Sequence, residues 1–147
     1  MRTLKKNEEI EEANWVSQEN AYSPYDFLVS KGNTNIFIEV KSTKGIFESE
    51  IHISLNQLQE ISCDTKTYHI YRIFQIDEES KTAKLRIAED VRNFAKEILN
   101  LFESLDREVK VDSISVLPSN AKLNFQEEIK EIELLQEEIK EIELLDK

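Results

Sequence analysis

Glu39 and Lys41 stand two apart in a run of β-branched and aromatic residues, Asn35-Ile36-Phe37-Ile38-Glu39-Val40-Lys41. Side chains alternate along a strand, so both would point to one face while Val40 points to the other. Asp26 lies in the preceding apolar segment, residues 25–30, joined through Lys31-Gly32-Asn33, a sequence suited to an antiparallel hairpin turn. Two carboxylates and an ammonium would then converge on one face of a sheet. Such a set suits a hard divalent cation and a water that attacks phosphorus. The competing reading is a solvated strand face beside a buried one.

Glu-x-Lys alone is weak evidence in a chain with 33% charged residues, and it recurs at Glu79/Lys81, Glu108/Lys110, Glu128/Lys130 and Glu138/Lys140. Context separates these. Glu79/Lys81 falls in the polar turn of residues 77–82, and Glu108/Lys110 follows a helical pattern instead of an acidic strand. The last two pairs sit in a helix-forming tail, where residues two apart share no face. Only Glu39/Lys41 has an apolar run before it and an Asp in a neighbouring strand segment.

The elements that must position these residues follow from periodicity. A short acidic helix is expected near residues 4–13, a brief strand at Trp15-Val16, and the hairpin at 25–30 and 34–42. After Gly45, residues 47–53 read as extended. Ser54 opens a helix over 55–61, and Gln57 three residues on fits a capping box. Residues 67–76 form the strongest strand pattern, paired through the 77–82 turn with 83–87. Val91, Phe94, Ala95, Ile98, Leu101, Phe102 and Leu105 mark an amphipathic helix over 88–105. Residues 109–117 read as a last strand, stopped by Pro118. The fold class is α+β or α/β, with a mixed central sheet flanked by helices.

With 147 residues the chain has room for one compact domain plus an appendage: a domain over 1–117 and an acidic tail over 118–147. One cysteine, Cys63, excludes an internal disulfide and suits a reducing compartment, as a small buried residue at a helix end. The first residues lack the apolar run of a signal peptide, and no stretch approaches a membrane span, so a cytoplasmic location is expected.

Net charge is −11. The last 22 residues hold nine acids against three lysines, −6, which leaves −5 for the rest. That opposes a broad polyphosphate-binding surface. A local basic groove remains open, from Lys31, Lys41, Lys44, Lys66, Arg72, Lys84 and Arg86.

From Gln126 the chain repeats itself: Gln-Glu-Glu-Ile-Lys-Glu-Ile-Glu-Leu-Leu fills 126–135 and again 136–145. Composition predicts an acidic C-terminal helix. Its apolar stripe, Ile129, Ile132, Leu135, Ile139, Ile142 and Leu145, repeats faster than a relaxed helix turns and so drifts around it. A long regular coiled coil is disfavoured. Docking on the domain, self-association or pairing with a partner helix, and fraying all stay open.

The segment from about Trp15 to Glu89 resembles the C-terminal domain family of protein NO VEIN, a domain of unknown function. Pro24-Tyr25-Asp26, Ile38-Glu39-Val40-Lys41-Ser42-Thr43-Lys44-Gly45, Ile53-Ser54-Leu55-Asn56-Gln57 and the aromatic strand Tyr68–Ile76 carry the likeness. That family looks like a branch of the PD-(D/E)XK nuclease superfamily. The resemblance implies a restriction-endonuclease-like core and a Mg²⁺ site, with Mn²⁺ as substitute. Asp26, Glu39 and the Val40 carbonyl would be the metal ligands. Lys41 would orient the attacking water and offset charge at phosphorus. Gln57 sits where some relatives place a supporting polar residue, although the capping box is its simpler role. Some relatives add a glutamate from the first helix, for which Glu8, Glu9, Glu11 and Glu12 are all available.

Other candidates carry less. His52 and His69 are too isolated for a zinc set or a catalytic dyad, and two glycines make no phosphate loop. Tyr68, Tyr71 and Phe74 read as core before they read as base-stacking residues. Two functions result: a metal-dependent nuclease acting on phosphodiesters, DNA first, in a restriction or defence setting; or a catalytically inactive module of the same fold that binds nucleic acid or a protein partner. Asp26, Glu39 and Lys41 carry the chemistry of the first.

Overall fold

The computed structural model describes residues 12–15 and 27–134. They form a mixed α+β fold. In chain order the elements are β1 (Glu12–Trp15), β2 (Phe27–Lys31), β3 (Thr34–Ser42), β4 (Ile51–Ser54), α1 (Leu55–Ile61), β5 (Thr67–Asp77), β6 (Thr82–Ala88), α2 (Arg92–Glu103), β7 (Ser113–Val116) and β8 (Lys130–Glu133). Six strands make one sheet in the order β1-β2-β3-β5-β6-β8, and β4 pairs with β7 in a second, two-stranded sheet.

The β2–β3 hairpin forms where the sequence places it. Phe27 pairs with Ile38 and Lys31 with Thr34, with Gly32 at φ 61° in the turn, a conformation glycine enters without a Cβ penalty. β3 and β5 run parallel, so β4 and α1 must cross the sheet between them. That crossover lays α1 over the face that carries Glu39.

Alternation divides the sheet into two apolar faces. Ile38, Val40, Tyr71, Ile73, Ala83, Leu85 and Ile87 belong to one core cluster, which also takes Phe27 and Val29 from β2 and Ile132 and Leu134 near the opposite edge. The other face packs Tyr68, Ile70 and Ala88 against Leu58 and Ile61 of α1, Phe94 and Ala95 of α2, and Ile51 and Ile53 of β4. Tyr68 and Phe74 are buried, as strand aromatics usually are.

The first copy of the ten-residue repeat does not form the acidic helix its composition predicts. Lys130–Glu133 is a strand, antiparallel to β6, with Ala83 opposite Ile132. Within the repeat, Glu-Ile-Glu-Leu alternates with period two. Ile132 and Leu134 are buried and Glu131 and Glu133 exposed, while Ile129 is 53% exposed. The edge of β6 offers unpaired backbone groups beside an apolar face, and that pairing overrides the helix propensity of Glu, Lys and Leu. Leu123 and Phe125, also beyond Pro118, join the helix-side core. The second repeat copy lies outside the described residues.

Three further boundaries differ. Glu12 and Ala13, expected at the end of a helix, lie in β1, paired with Ser30 and Val29; the rest of that expected helix lies outside the described residues. The helix expected from 88 begins at Arg92, because β6 runs to Ala88 and Asp90 takes a left-handed φ of 44°. Val91 N–H then donates to the Tyr68 carbonyl at 3.1 Å, which ties the helix start to β5. The strand expected over 109–117 is confined to Ser113–Val116, where β4 provides its partner.

Candidate functional site

Glu39 and Lys41 share the face of β3 that α1 covers. Glu39 is buried at 5% exposure, far below what a solvated strand face allows. Lys41 Nζ lies 3.3 Å from Glu39 Oε1, with side-chain exposures of 15% and 7% for Lys41 and Glu39. The Lys41 side chain is therefore largely withdrawn from solvent.

Gln57 joins the pair. Its Nε2 donates to Glu39 Oε1 at 2.8 Å, and its Oε1 accepts from Lys41 Nζ at 3.0 Å. The same Oε1 accepts from Ser54 N–H at 3.1 Å, and Gln57 N–H donates to Ser54 Oγ at 3.1 Å, which completes the capping box. The capping box is thus formed, and the same amide bridges Glu39 and Lys41. Fixing Gln57 at the first turn of α1 costs its amide little additional rotamer freedom, because the cap has already restricted it.

The backbone under Lys41 is held from the next strand. Lys41 pairs with Arg72 across β3 and β5. Arg72 is 1% exposed, donating from Nη1 to the Lys41 carbonyl at 3.3 Å and from Nη2 to the Ser49 carbonyl at 2.6 Å. An arginine in the middle of Tyr-His-Ile-Tyr-Arg-Ile-Phe was the sequence signal for this support, since a charge in a central strand needs partners. Its target was not legible without the strand register.

Asp26, the second expected metal ligand, lies outside the described residues, as do Glu8, Glu9 and Glu11. Glu12 lies in β1. Val40 is buried on the opposite side of β3, in the first core cluster. Among the described residues, no group of three or more His, Cys, Asp or Glu side chains is placed to hold a metal ion.

The profile of the family described as Protein NO VEIN, C-terminal, matches residues 1–87, well over half of the chain. The chain belongs to that family. No curated protein and no solved structure shows a significant match to it. The matched region of this NO VEIN C-terminal family member contains β3, α1 and β5, hence Glu39, Lys41, Gln57 and Arg72 alike.

The basic side chains expected to line a groove are mostly engaged elsewhere. Lys66 pairs with Glu60 at 2.6 Å and Lys44 with Glu78 at 2.7 Å. The Lys66 hydrogen bond, with help from Tyr68, holds the Glu60 carboxyl below its ordinary range against a smaller opposing effect of burial. Arg86 lies over the Phe47 ring, 4.1 Å from its centroid.

The remaining candidates take structural roles. Burial pushes the Tyr71 phenol up to about 12, so it accepts no proton near neutral pH. His69 Nδ1 accepts from Asp90 N–H at 3.0 Å, and desolvation holds its imidazole below the usual histidine range. His52 is exposed and lies 2.7 Å from Ser115 Oγ. Cys63 is half-buried instead of sitting in the core, with Sγ 3.1 Å from Thr65 Oγ1, a contact that lowers its thiol. Among the described residues no helix is long and apolar enough to cross a membrane.

Proposed function

We propose that this chain is a Mg²⁺-dependent, nuclease-like domain of restriction-endonuclease-like fold that hydrolyses phosphodiester bonds, DNA first, in a restriction or defence setting. The observation that carries the proposal is the cluster of buried Glu39 with half-buried Lys41 and Gln57. Burying a carboxylate and an ammonium costs several kcal/mol per ion before their attraction is counted, and an apolar pair would pack at least as well. Ionisable groups kept in such a place cluster at functional sites.

The ion would be held by Glu39, Asp26 and the Val40 carbonyl. This donor set is all oxygen, which suits Mg²⁺ or Mn²⁺ and not Zn²⁺. When bound, the ion would supply charge stabilisation at the phosphoryl oxygens. Lys41 retains one N–H donor beyond those given to Gln57 and Glu39, which in this reading orients the attacking water. Gln57 fixes the separation of Glu39 and Lys41, and Arg72 holds the Lys41 backbone from below.

A cleavage assay with Mg²⁺ and with Mn²⁺ on plasmid, single-stranded DNA and RNA tests this. Cutting is expected, lost with EDTA and reduced on the order of 10²-fold or more in Lys41→Ala. Full cutting by a folded Lys41→Ala protein would remove Lys41 from the chemistry. No cutting on any substrate would favour the second reading, a non-catalytic module that binds nucleic acid or a protein. That reading is supported by Glu39 Oε1 being engaged internally, by Gln57 and Lys41.

A further inference from the structure

The strand register carries a basic row away from the candidate site. Lys41 on β3 pairs with Arg72 on β5, and Arg72 pairs with Arg86 on β6. Paired residues share a face, so all three project to the side that α1 and α2 cover. With strands about 4.8 Å apart, Arg86 lies roughly 10 Å across the sheet from Lys41.

Arg86 lines a cavity of about 350 Å³ together with Phe47, Glu48, Asn120, Asn124 and Glu127. The volume is at the lower end for small-ligand pockets, suited to one nucleotide unit. Phe47 is itself packed, meeting both Phe74 and Phe125 edge-on at 5.3 Å. Arg86 is fixed over Phe47, with Nε–H donating to the Gln126 carbonyl at 2.8 Å. Among the described residues, no acceptor takes the N–H groups of its two terminal nitrogens. Nor does Arg86 form an ion pair there, although two carboxylates line the same cavity.

We infer that this cavity is a nucleobase subsite, preferring guanine, for a nucleic-acid strand bound at the Lys41 face; the inference rests on the nucleic-acid reading above. A bare phosphate fits poorly beside Glu48 and Glu127. Guanine matches the set: it presents two adjacent acceptors, N7 and O6, to a guanidinium fork, and two adjacent donors, N1–H and the 2-amino group, to a carboxylate. Adenine replaces the O6 acceptor with an amino donor, which would face the cation. Asn120 and Asn124 add neutral amides to the lining, and Phe47 adds an aromatic ring.

The test is an NMR titration of the full chain with GMP, AMP, CMP, UMP and inorganic phosphate, in EDTA so that no turnover can occur. GMP is expected to bind most tightly and to shift resonances of residues 118–127 and Arg86. Arg86→Lys keeps the charge and stem but loses the fork, and should weaken GMP about tenfold. Glu127→Gln alters an exposed side chain that the fold does not need, and should weaken GMP while sparing AMP. Equal binding of all four nucleotides, or displacement of GMP by phosphate at equal concentration, would overturn the inference. GMP selectivity without any cleavage would leave this subsite standing and remove the nuclease; cleavage without selectivity would do the reverse.

Discussion

Gln57→Ala isolates what the bridging amide contributes, and Ser54→Ala is its control. The control removes one hydrogen bond, Gln57 N–H to Ser54 Oγ at 3.1 Å, and should cost about 1 kcal/mol as an N-cap loss. Gln57→Ala removes the reciprocal cap bond from Ser54 N–H and both side-chain bonds, to Glu39 at 2.8 Å and from Lys41 at 3.0 Å. Hydrogen bonds to charged groups contribute about 1.5–3 kcal/mol each in net terms. Glu39 and Lys41 keep each other at 3.3 Å, and water can enter the gap, so the full sum is not lost. The expected cost is about 2–3 kcal/mol, two to three times that of the control. Urea unfolding measures it as a lower midpoint at unchanged slope, and thermal unfolding as a drop of roughly 5–10 °C. A double-mutant cycle with Lys41→Met should return a coupling of about 1 kcal/mol. If Gln57→Ala costs no more than Ser54→Ala, or the cycle is additive, the cluster is not a linked unit and the functional argument built on it fails.

Three further outcomes are expected. Ile132→Ala should destabilise by about 2–4 kcal/mol in urea, while Ile129→Ala stays within about 0.5 kcal/mol; equal losses would indicate the helical stripe instead of β8. Because the folded Glu60 carboxyl is held below its ordinary value of 4.5, its contribution is present above that pH and is lost as pH falls through the folded value. Lys66→Met should therefore flatten the acid limb of the stability profile below about pH 4.5, and an unchanged limb would count against the Glu60 pair. The folded His69 imidazole is likewise depressed, so its contribution is present above 6.5 and is lost on acidification. Its NMR titration midpoint should fall below 6.5, the ordinary histidine value, and a midpoint above that would refute the half-buried, Asp90-bonded ring.

Much of the candidate site was legible because it depends on local rules. Alternation along residues 34–42 placed Glu39 and Lys41 on one face, and Ser54 with Gln57 announced the start of α1. Both follow from backbone periodicity and from hydrogen bonds within one turn, which need no distant partner. The tail was misread for the same reason: its composition favours a helix locally, yet the open edge of β6 lies more than 40 residues earlier in the chain. Propensities of a few tenths of a kcal/mol per residue yield to a ladder of backbone bonds and two buried apolar side chains.

The sequence by itself determined the hairpin, the strand face that carries Glu39 and Lys41, the capped helix and the amphipathic helix, since each is written in spacings of a few residues. Only the tertiary structure decided that the Gln57 amide reaches Lys41 across 16 positions of sequence, and Arg72 the Lys41 carbonyl across 31. It also decided that Arg86 lines up with both, and that the first repeat copy becomes an edge strand. Those outcomes depend on strand order and register, which are set by how two faces of one sheet bury their apolar residues together, and no local pattern encodes that choice.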